Sequence, residues 1–224
     1  MDLDALALSL RLAGLTTLAL LVLGLPLASW LAESRFRLKF LVEAVVSLPL
    51  VLPPTVLGFY LLVGLGPKSP LGRAFEALVG HPFPFSFAGL FGASVLYSLP
   101  FAVQPFTAAL SGVDRRFVEA SHALGVSRLE TFARVTLPLA WPGVLAGAVL
   151  TFAHTLGEFG VVLMVGGNIP GRTRTLSVAI FDHVEALEYA AAHRTALLLL
   201  AVSFVVLAVV YGLKRPALFP WNAR

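Results

Sequence analysis

The chain has 224 residues, of which 58% are hydrophobic and 12% are charged. An ordinary soluble domain carries about 25% charged residues, so this composition indicates an integral membrane protein. The formal net charge of +4 comes from basic residues in short connections between apolar stretches, where it reports orientation rather than nucleic-acid binding. The absence of cysteine excludes disulfides, thiolate nucleophiles and cysteine-ligated metals.

Five apolar stretches are long enough to cross the hydrocarbon core of a bilayer, which takes about 20 helical residues. Strands that alternate apolar and polar residues are absent from the sequence, so helices are expected to make the crossings. We therefore predict an all-α, polytopic membrane helix bundle with about five transmembrane helices. The predicted spans cover residues 12 to 31, 40 to 65, 85 to 110, 142 to 165 and 195 to 213.

Basic residues are distributed unequally between the two sets of connections, and Lys and Arg accumulate in cytoplasmic loops. The distribution predicts an N-terminus outside the cell and a C-terminus in the cytoplasm. The ten residues expected on the cytoplasmic side are Arg35, Arg37, Lys39, Arg115, Arg116, Arg128, Arg134, Lys214, Arg215 and Arg224. The six expected outside are Arg11, Lys68, Arg73, Arg172, Arg174 and Arg194.

The two predicted outer connections differ in character. Residues 66–84 are rich in Pro and Gly, which indicates a loop with a short helix near 73–79. Residues 166–193 should form a turn followed by short helices. Because no repeat or linker is evident, residues 1–224 are expected to form a single integral membrane domain. Five helices would enclose a pathway poorly, which favours an oligomer.

The connection between the third and fourth predicted spans is polar and about two dozen residues long. Asp114 can cap a short helix, and Gly125 follows where a left-handed C-terminal cap would favour glycine. Ser127 and Glu130 have capping-box spacing at the start of a second amphipathic helix, which is expected to end near Pro138. Such a segment is suited either to docking a protein or to lying on lipid headgroups.

This segment, residues 114–138, resembles the signature loop of the permease subunits of bacterial ABC importers. That loop reads Glu-Ala-Ala, three residues, Gly, nine residues, Ile, any residue and Leu-Pro. Every spacing matches here, with Ser121 in place of the second alanine and Val135 in place of isoleucine. The resemblance implies an ATPase-coupling surface formed by Glu119, Ala120, Ser121, Gly125, Ser127, Leu129, Val135, Leu137 and Pro138.

In that family the loop forms a coupling helix that seats in a groove of a separate nucleotide-binding subunit. The resemblance therefore implies that ATP and magnesium bind to the partner ATPase and that this chain carries no cofactor. The stretch from Gly64 to Ser69 fails the phosphate-loop pattern because Pro67 replaces the glycine before lysine.

The fourth predicted span contains a histidine and a glutamate four residues apart. His154 and Glu158 are expected to share one helix face, where they would interact in surroundings that make an isolated charge costly. Two interpretations are open: a polar clamp between helices, which is favoured, and a gate on the transport pathway. A proton relay in a channel or ion-coupled transporter without an ATPase is a less favoured alternative.

The stretches 156–160 and 167–173, together with the proline-rich stretch 49–58, resemble molybdate permeases and the related sulfate and tungstate permeases. The resemblance implies import of a tetrahedral oxyanion, most naturally molybdate, with tungstate or sulfate as alternatives. It also implies a bacterial inner-membrane homodimer with two ATP-binding subunits and a periplasmic oxyanion-binding protein.

Polar residues within the predicted spans are candidates for the pathway or gate, because neutral donors suit an oxyanion that must also be released. The alternative for each is a hydroxyl or amide that packs helices together. The candidates are Ser47, Thr55, Tyr97, Ser98, Gln104, Thr107, Thr151, His154, Thr155 and Glu158. Arg172 and Arg174 either attract the anion outside or are solvated surface charges. No metal cluster, nucleophile triad or catalytic carboxylate pair emerges from the spacing, so we expect a transport subunit without catalytic or metal-binding residues.

Overall fold

A computed structural model describes residues 2–213, and the regular structure in that range is entirely helical. Three basic residues used for the orientation, Lys214, Arg215 and Arg224, lie outside the described residues. The helices are α1 (Leu3–Glu33), α2 (Lys39–Val51), α3 (Pro54–Leu65), α4 (Pro70–Val79), α5 (Phe87–Ser111), α6 (Arg115–Ala123), α7 (Arg128–Thr131), α8 (Leu137–Gly157), α9 (Gly160–Gly166), α10 (Leu176–Glu185) and α11 (Tyr189–Leu213).

Helices α1, α5 and α8 form the centre of the bundle, and their apolar side chains make the largest core cluster. Leu20 of α1, Phe106 of α5 and Val144 of α8 are fully buried in it. Within residues 2–213, four helical segments are individually long and apolar enough to cross a membrane: α1, α5, Arg128–Gly157 and Tyr189–Val209. A fifth is obtained if the bent pair α2 and α3 is counted as one span, so the prediction of about five spans is confirmed.

The predicted second span is not one straight helix. Helices α2 and α3 meet at 112°, with Leu52 extended at ψ 133° and Pro53 at ψ 137°. A proline disfavours the helical conformation of the residue before it and cannot donate a backbone hydrogen bond. Because Pro53 and Pro54 are consecutive, two residues in a row are pushed out of the helical region and the chain turns.

Both predicted bounds of the fourth span, residues 142 and 165, are wrong. The amphipathic helix after Gly125 is also predicted to end near Pro138, but α7 continues through a π-helical turn, Phe132–Thr136, directly into α8. The amide of Leu137 donates to the carbonyl of Phe132, five residues back. A widened turn of this kind relieves the clash between a proline ring and the carbonyl four residues before it. At the other end, α8 stops at Gly157 and α9 starts anew at Gly160.

Two outer elements match their predictions. Helix α4 covers the short helix expected near 73–79, and Ser69 caps it by accepting the amide N–H of Gly72 at 2.8 Å. Helix α10 is the short helix expected after residue 166. The last span begins at Tyr189, six residues earlier than predicted.

Helices α5 and α8 pack closely because α8 presents two glycines four residues apart. A Cβ atom on Gly143 would lie 2.5 Å from Cβ of Ala109, and one on Gly147 would lie 2.8 Å from the ring of Phe106. Glycines at this spacing let membrane helices approach closely, since van der Waals packing drives their association. The contact therefore depends on the absence of side chains at these two positions.

We expect Gly147→Ala to lower stability by about 1–3 kcal/mol, because Phe106 is fully buried and its ring cannot move aside. The measurement is the apparent melting temperature of the detergent-purified chain. Gly14→Ala in α1 is the matched control, since nothing lies within 4 Å of a Cβ atom there. Equal melting temperatures for the two variants would contradict the proposed packing constraint.

Candidate coupling surface and polar pathway

The predicted local anatomy of segment 114–138 is largely confirmed. Asp114 caps α6 by accepting the amide N–H of Arg116 at 2.9 Å. Gly125 has φ +77°, in the left-handed region that favours glycine. Ser127 accepts the amide N–H of Glu130 at 3.3 Å, which forms one half of the expected capping box. The Glu130 carboxylate instead pairs with Arg134 at 3.2 Å.

A buried hydrogen bond fastens α6 to α7. The hydroxyls of Ser121 and Thr131 are 2.9 Å apart, and both residues are buried. Sequence reasoning missed Thr131, because only the fold brings together positions ten residues apart across a turn. Ser121, where the family pattern has alanine, therefore holds the two helices together from within.

Most of the predicted coupling residues lie on the surface of this segment. The exposed ones are Glu119, Ala120, Gly125, Ser127, Leu129 and Pro138, whereas Val135 and Leu137 are half-buried and Ser121 is buried. Large apolar side chains stand out among polar neighbours: Phe117 is 56% exposed, Leu124 84% and Leu129 79%. Large exposed apolar side chains on an otherwise polar connection are suited to contact with a partner protein.

The predicted pathway residues divide into two groups. The first is buried or half-buried between α5 and α8, where the Ser98 hydroxyl lies 3.0 Å from Nδ1 of His154 and 2.9 Å from the Thr155 hydroxyl. The His154 ring stacks on Phe101, with 3.7 Å between ring centroids, and Tyr97 lies on it at 5.0 Å. Sequence reasoning missed Phe101, which has no polar group to mark it.

Two hydroxyls on α8 are turned back onto the helix itself. Thr151 donates to the carbonyl of Gly147 at 2.8 Å, and Thr155 donates to that of Thr151 at 2.9 Å. These bonds commit the donor hydrogens of both residues, so the buried group has the geometry of a helix clamp rather than of an open anion path.

The second group lies on α2, α3 and the facing side of α5. The Gln104 amide donates to the Ser47 hydroxyl at 3.0 Å, and Gln104 and Thr55 are exposed. Thr107 is half-buried, and its hydroxyl has no partner among the described residues. Among the predicted pathway residues, the two exposed ones, Thr55 and Gln104, therefore both belong to this second group.

The expectation that His154 and Glu158 share one helix face is wrong, because α8 ends between them and Glu158 is extended at ψ 138°. Oε1 of Glu158 instead accepts the amide N–H groups of Val161 and Val162 at 3.0 and 3.1 Å. The first amides of a helix have no partner within it, and Glu158 satisfies two of them in α9. Glu158 is 6% exposed and its Oε2 has no partner in the described part of the chain.

On the outer side the two candidate arginines differ. Arg174 donates to the amide oxygen of Asn168 at 2.6 Å and pairs with Asp182 at 3.0 Å. Asn168 in turn donates to Asp182 at 2.8 Å, which closes the network. Arg174 is therefore engaged within the chain, whereas Arg172 is exposed.

A histidine clasp joins the N-terminus to the loop between α10 and α11. His183 places Nε2 3.0 Å from a carboxylate oxygen of Asp2 and Nδ1 3.1 Å from one of Glu188. Only the imidazolium can donate to both carboxylates. These contacts, chiefly the hydrogen bond to Asp2, raise the pKa of His183 above its ordinary value.

We expect His183→Gln to lower the melting temperature more at about pH 6 than at about pH 8.5. A raised pKa means that the stabilisation is fully present below the ordinary value of about 6.5 and is lost as pH rises through the folded-state pKa. The measurement is thermal unfolding of both proteins across this range. His122→Gln on exposed α6 controls for loss of a histidine, and a difference that grows with pH would contradict the clasp.

A second prediction concerns Glu158. Glu158→Ala would leave two buried amides without an acceptor, and it should destabilise the chain by about 1–3 kcal/mol. Glu158→Gln keeps an acceptor oxygen and should retain most of the stability. Melting temperatures in detergent separate the variants, with Glu43→Ala, in an exposed surface pair, as control. Similar losses for Ala and Gln would show that the negative charge matters rather than the cap.

The sequence of this chain is similar to a known protein family and to individual transport proteins. Residues 24–217 match the family described as binding-protein-dependent transport system inner membrane component. The molybdenum transport system permease protein ModB of Azotobacter vinelandii is 55% identical over 214 residues, which cover 96% of this chain and 95% of that protein. ModB of Escherichia coli (strain K12) is 39% identical, over 81% of this chain and 80% of its own length.

Solved structures share the fold. A chain of a bacterial ABC transporter involved in the import of the acidic polysaccharide alginate superimposes with a TM-score of 0.80 at 17% identity, covering 97% of this chain and 80% of that one. A chain of the inward-facing MetNI methionine ABC transporter gives 0.75 at 18% identity, covering 95% and 94%. The family match and the sequence relatives together show that the chain belongs to the binding-protein-dependent transport system inner membrane component family and is a multi-pass protein of the inner membrane.

Proposed function

We propose that this chain is the permease subunit of an ATP-driven importer of molybdate. The observation that carries the proposal is the 55% identity, over nearly the full length of both chains, to a molybdenum transport permease. In this proposal residues 1–224 form one membrane domain, with segment 114–138 as its cytoplasmic coupling surface. Tungstate has the same shape and charge as molybdate, so selection between the two belongs to the binding protein.

Energy is supplied by a separate ATPase, which holds the ATP and magnesium. The exposed side chains of Phe117, Leu124 and Leu129 support this assignment, because they offer an apolar contact surface on the polar connection. The capped ends of α6 and α7 and the Ser121–Thr131 bond hold that surface in shape. Because α7 runs without a loop into α8, a displacement of Leu129 by the ATPase would move the membrane-spanning part of the same helix.

The assembly is a homodimer with two ATP-binding subunits and a periplasmic oxyanion-binding protein. Support comes from the open side of α2, α3 and α5, where Val51 is 81% and Tyr60 65% exposed. Lipid could cover such apolar residues, but Thr55 and Gln104 are exposed on the same helices. A polar group facing hydrocarbon without a partner is costly, so a second copy of the chain is the better cover.

The oxyanion path lies between the two copies, on the side that carries Ser47, Thr55 and Gln104. Their neutral hydroxyl and amide groups can donate to the anion without the deep binding well that a guanidinium would create. The buried group around Ser98 and His154 is assigned to holding α5 against α8, since its hydrogen bonds are already made.

The test is ATP-dependent molybdate uptake by vesicles that contain this chain, the ATPase and the binding protein. Leu129→Asp places a charge on a side chain that is 79% exposed, so the fold should survive. Burying an unpaired carboxylate in the interface should lower both uptake and ATPase co-purification at least about tenfold.

Leu78→Asp on α4 is the matched control, because Leu78 is 86% exposed and lies outside segment 114–138. This variant should retain the ATPase at the level of the unaltered chain. Uptake without ATP, or full ATPase retention by Leu129→Asp, would refute the proposed coupling.

A further inference from the structure

A basic cavity lies at the end of the bundle that is remote from segment 114–138. It has a volume of about 800 Å³ and is open to the surroundings. Arg11, His81 and Arg172 line it, against a single acidic side chain, Asp4. The cavity thus brings basic groups from three separate parts of the chain to one place: α1, the connection before α5 and the loop after α9.

The level of this cavity in the membrane follows from the sequence of α1. Residues 12–32 contain no charged side chain, and 21 helical residues span about 31 Å, close to the thickness of the hydrocarbon core. Arg11 and Glu33 therefore mark the two boundaries of the hydrocarbon core along α1. Glu33 lines a second cavity together with Glu119 of the coupling segment, so Arg11 lies at the headgroup level of the opposite leaflet.

The two arginines of the cavity are free to bind an anion. Neither Arg11 nor Arg172 has a carboxylate within 4.0 Å in the part of the chain that is described, whereas the neighbouring Arg174 is paired. The guanidinium carbon of Arg11 lies 4.5 Å from the centre of the Phe87 ring, which orients it. Arg172 follows Gly171 in a turn whose amides bond to the carbonyl of Ile169, so its backbone is held in place.

We propose that this cavity binds the headgroup phosphate of an anionic phospholipid in the outer leaflet. Guanidinium groups suit a phosphate because each can donate two parallel hydrogen bonds. Ala7, Leu8 and Ala88 also line the cavity and offer an apolar wall to the first carbons of the acyl chains. A free tetrahedral oxyanion would fill only a small part of the volume and would leave that wall in water.

Native mass spectrometry of the detergent-purified full chain tests the proposal, with phosphatidylglycerol and phosphatidylcholine of identical acyl chains added in equal amounts. Phosphatidylglycerol should be retained preferentially. Arg11→Gln and Arg172→Gln should each reduce that preference about fivefold, the effect expected for one cationic side chain near a lipid surface. Arg73→Gln, which removes an exposed arginine of α4 outside the cavity, should leave the preference unchanged.

Equal retention of the two lipids, or an equal loss in the Arg73 variant, would overturn the proposal. Molybdate and inorganic phosphate form a separate arm: binding of either ion that depends on Arg11 and Arg172, without a preference for phosphatidylglycerol, would assign the cavity to free oxyanions instead. If the Arg11 variant does not fold, the Arg172 variant decides, since its side chain is exposed on a loop.

Discussion

A backbone inside a bilayer has no water to bond with, and this constraint governs two breaks within predicted spans of the described chain, before α3 and before α9. The breaks before α3 and α9 lie against each other: a Cβ atom on Gly160 would lie 2.5 Å from Cβ of Pro54. Further along, one on Gly58 would lie 2.6 Å from Cβ of Met164. Proline has no amide hydrogen at the start of α3, and Glu158 accepts two amides at the start of α9. At the start of each of these helices, the backbone amides that lack a partner within the helix are therefore fewer or already hydrogen-bonded.

These interruptions also separate the polar residues of the spans by role. Because α8 ends at Gly157, His154 is left to bond across to Ser98 while Glu158 is drawn away to α9. The same break removes the basis for a proton relay along one helix face, since the two side chains no longer follow one another on a continuous turn. The two exposed candidates, Thr55 and Gln104, belong to the group on α2, α3 and α5, and Thr55 directly follows the other interruption.

Local chemistry made parts of this arrangement predictable from sequence. Asp114, Gly125 and Ser127 act on amides or dihedral angles within three residues, so their caps could be inferred before any fold was known. The break at Glu158 could not, because an isolated Leu-Gly-Glu-Phe-Gly stretch fits a helix that simply continues. The contacts of Ser121 with Thr131 and of Ser98 with His154 join helices, and one sequence carries no signal for such pairs.

The same reasoning explains why Pro138 misled the prediction. A proline ring clashes with the carbonyl four residues before it and so disfavours a continuing helix, but here a π-helical turn accommodates the ring and the helix continues. The position of this helix end also decides how segment 114–138 is connected to the membrane span. A helix that ended at Pro138 would leave a hinge between the two. With Arg128–Gly157 running as one span-length helix, the surface around Leu129 and the glycines that pack against α5 belong to a single body. Because no loop interrupts this helix, a displacement of Leu129 in the proposed importer would reach the contact between α5 and α8.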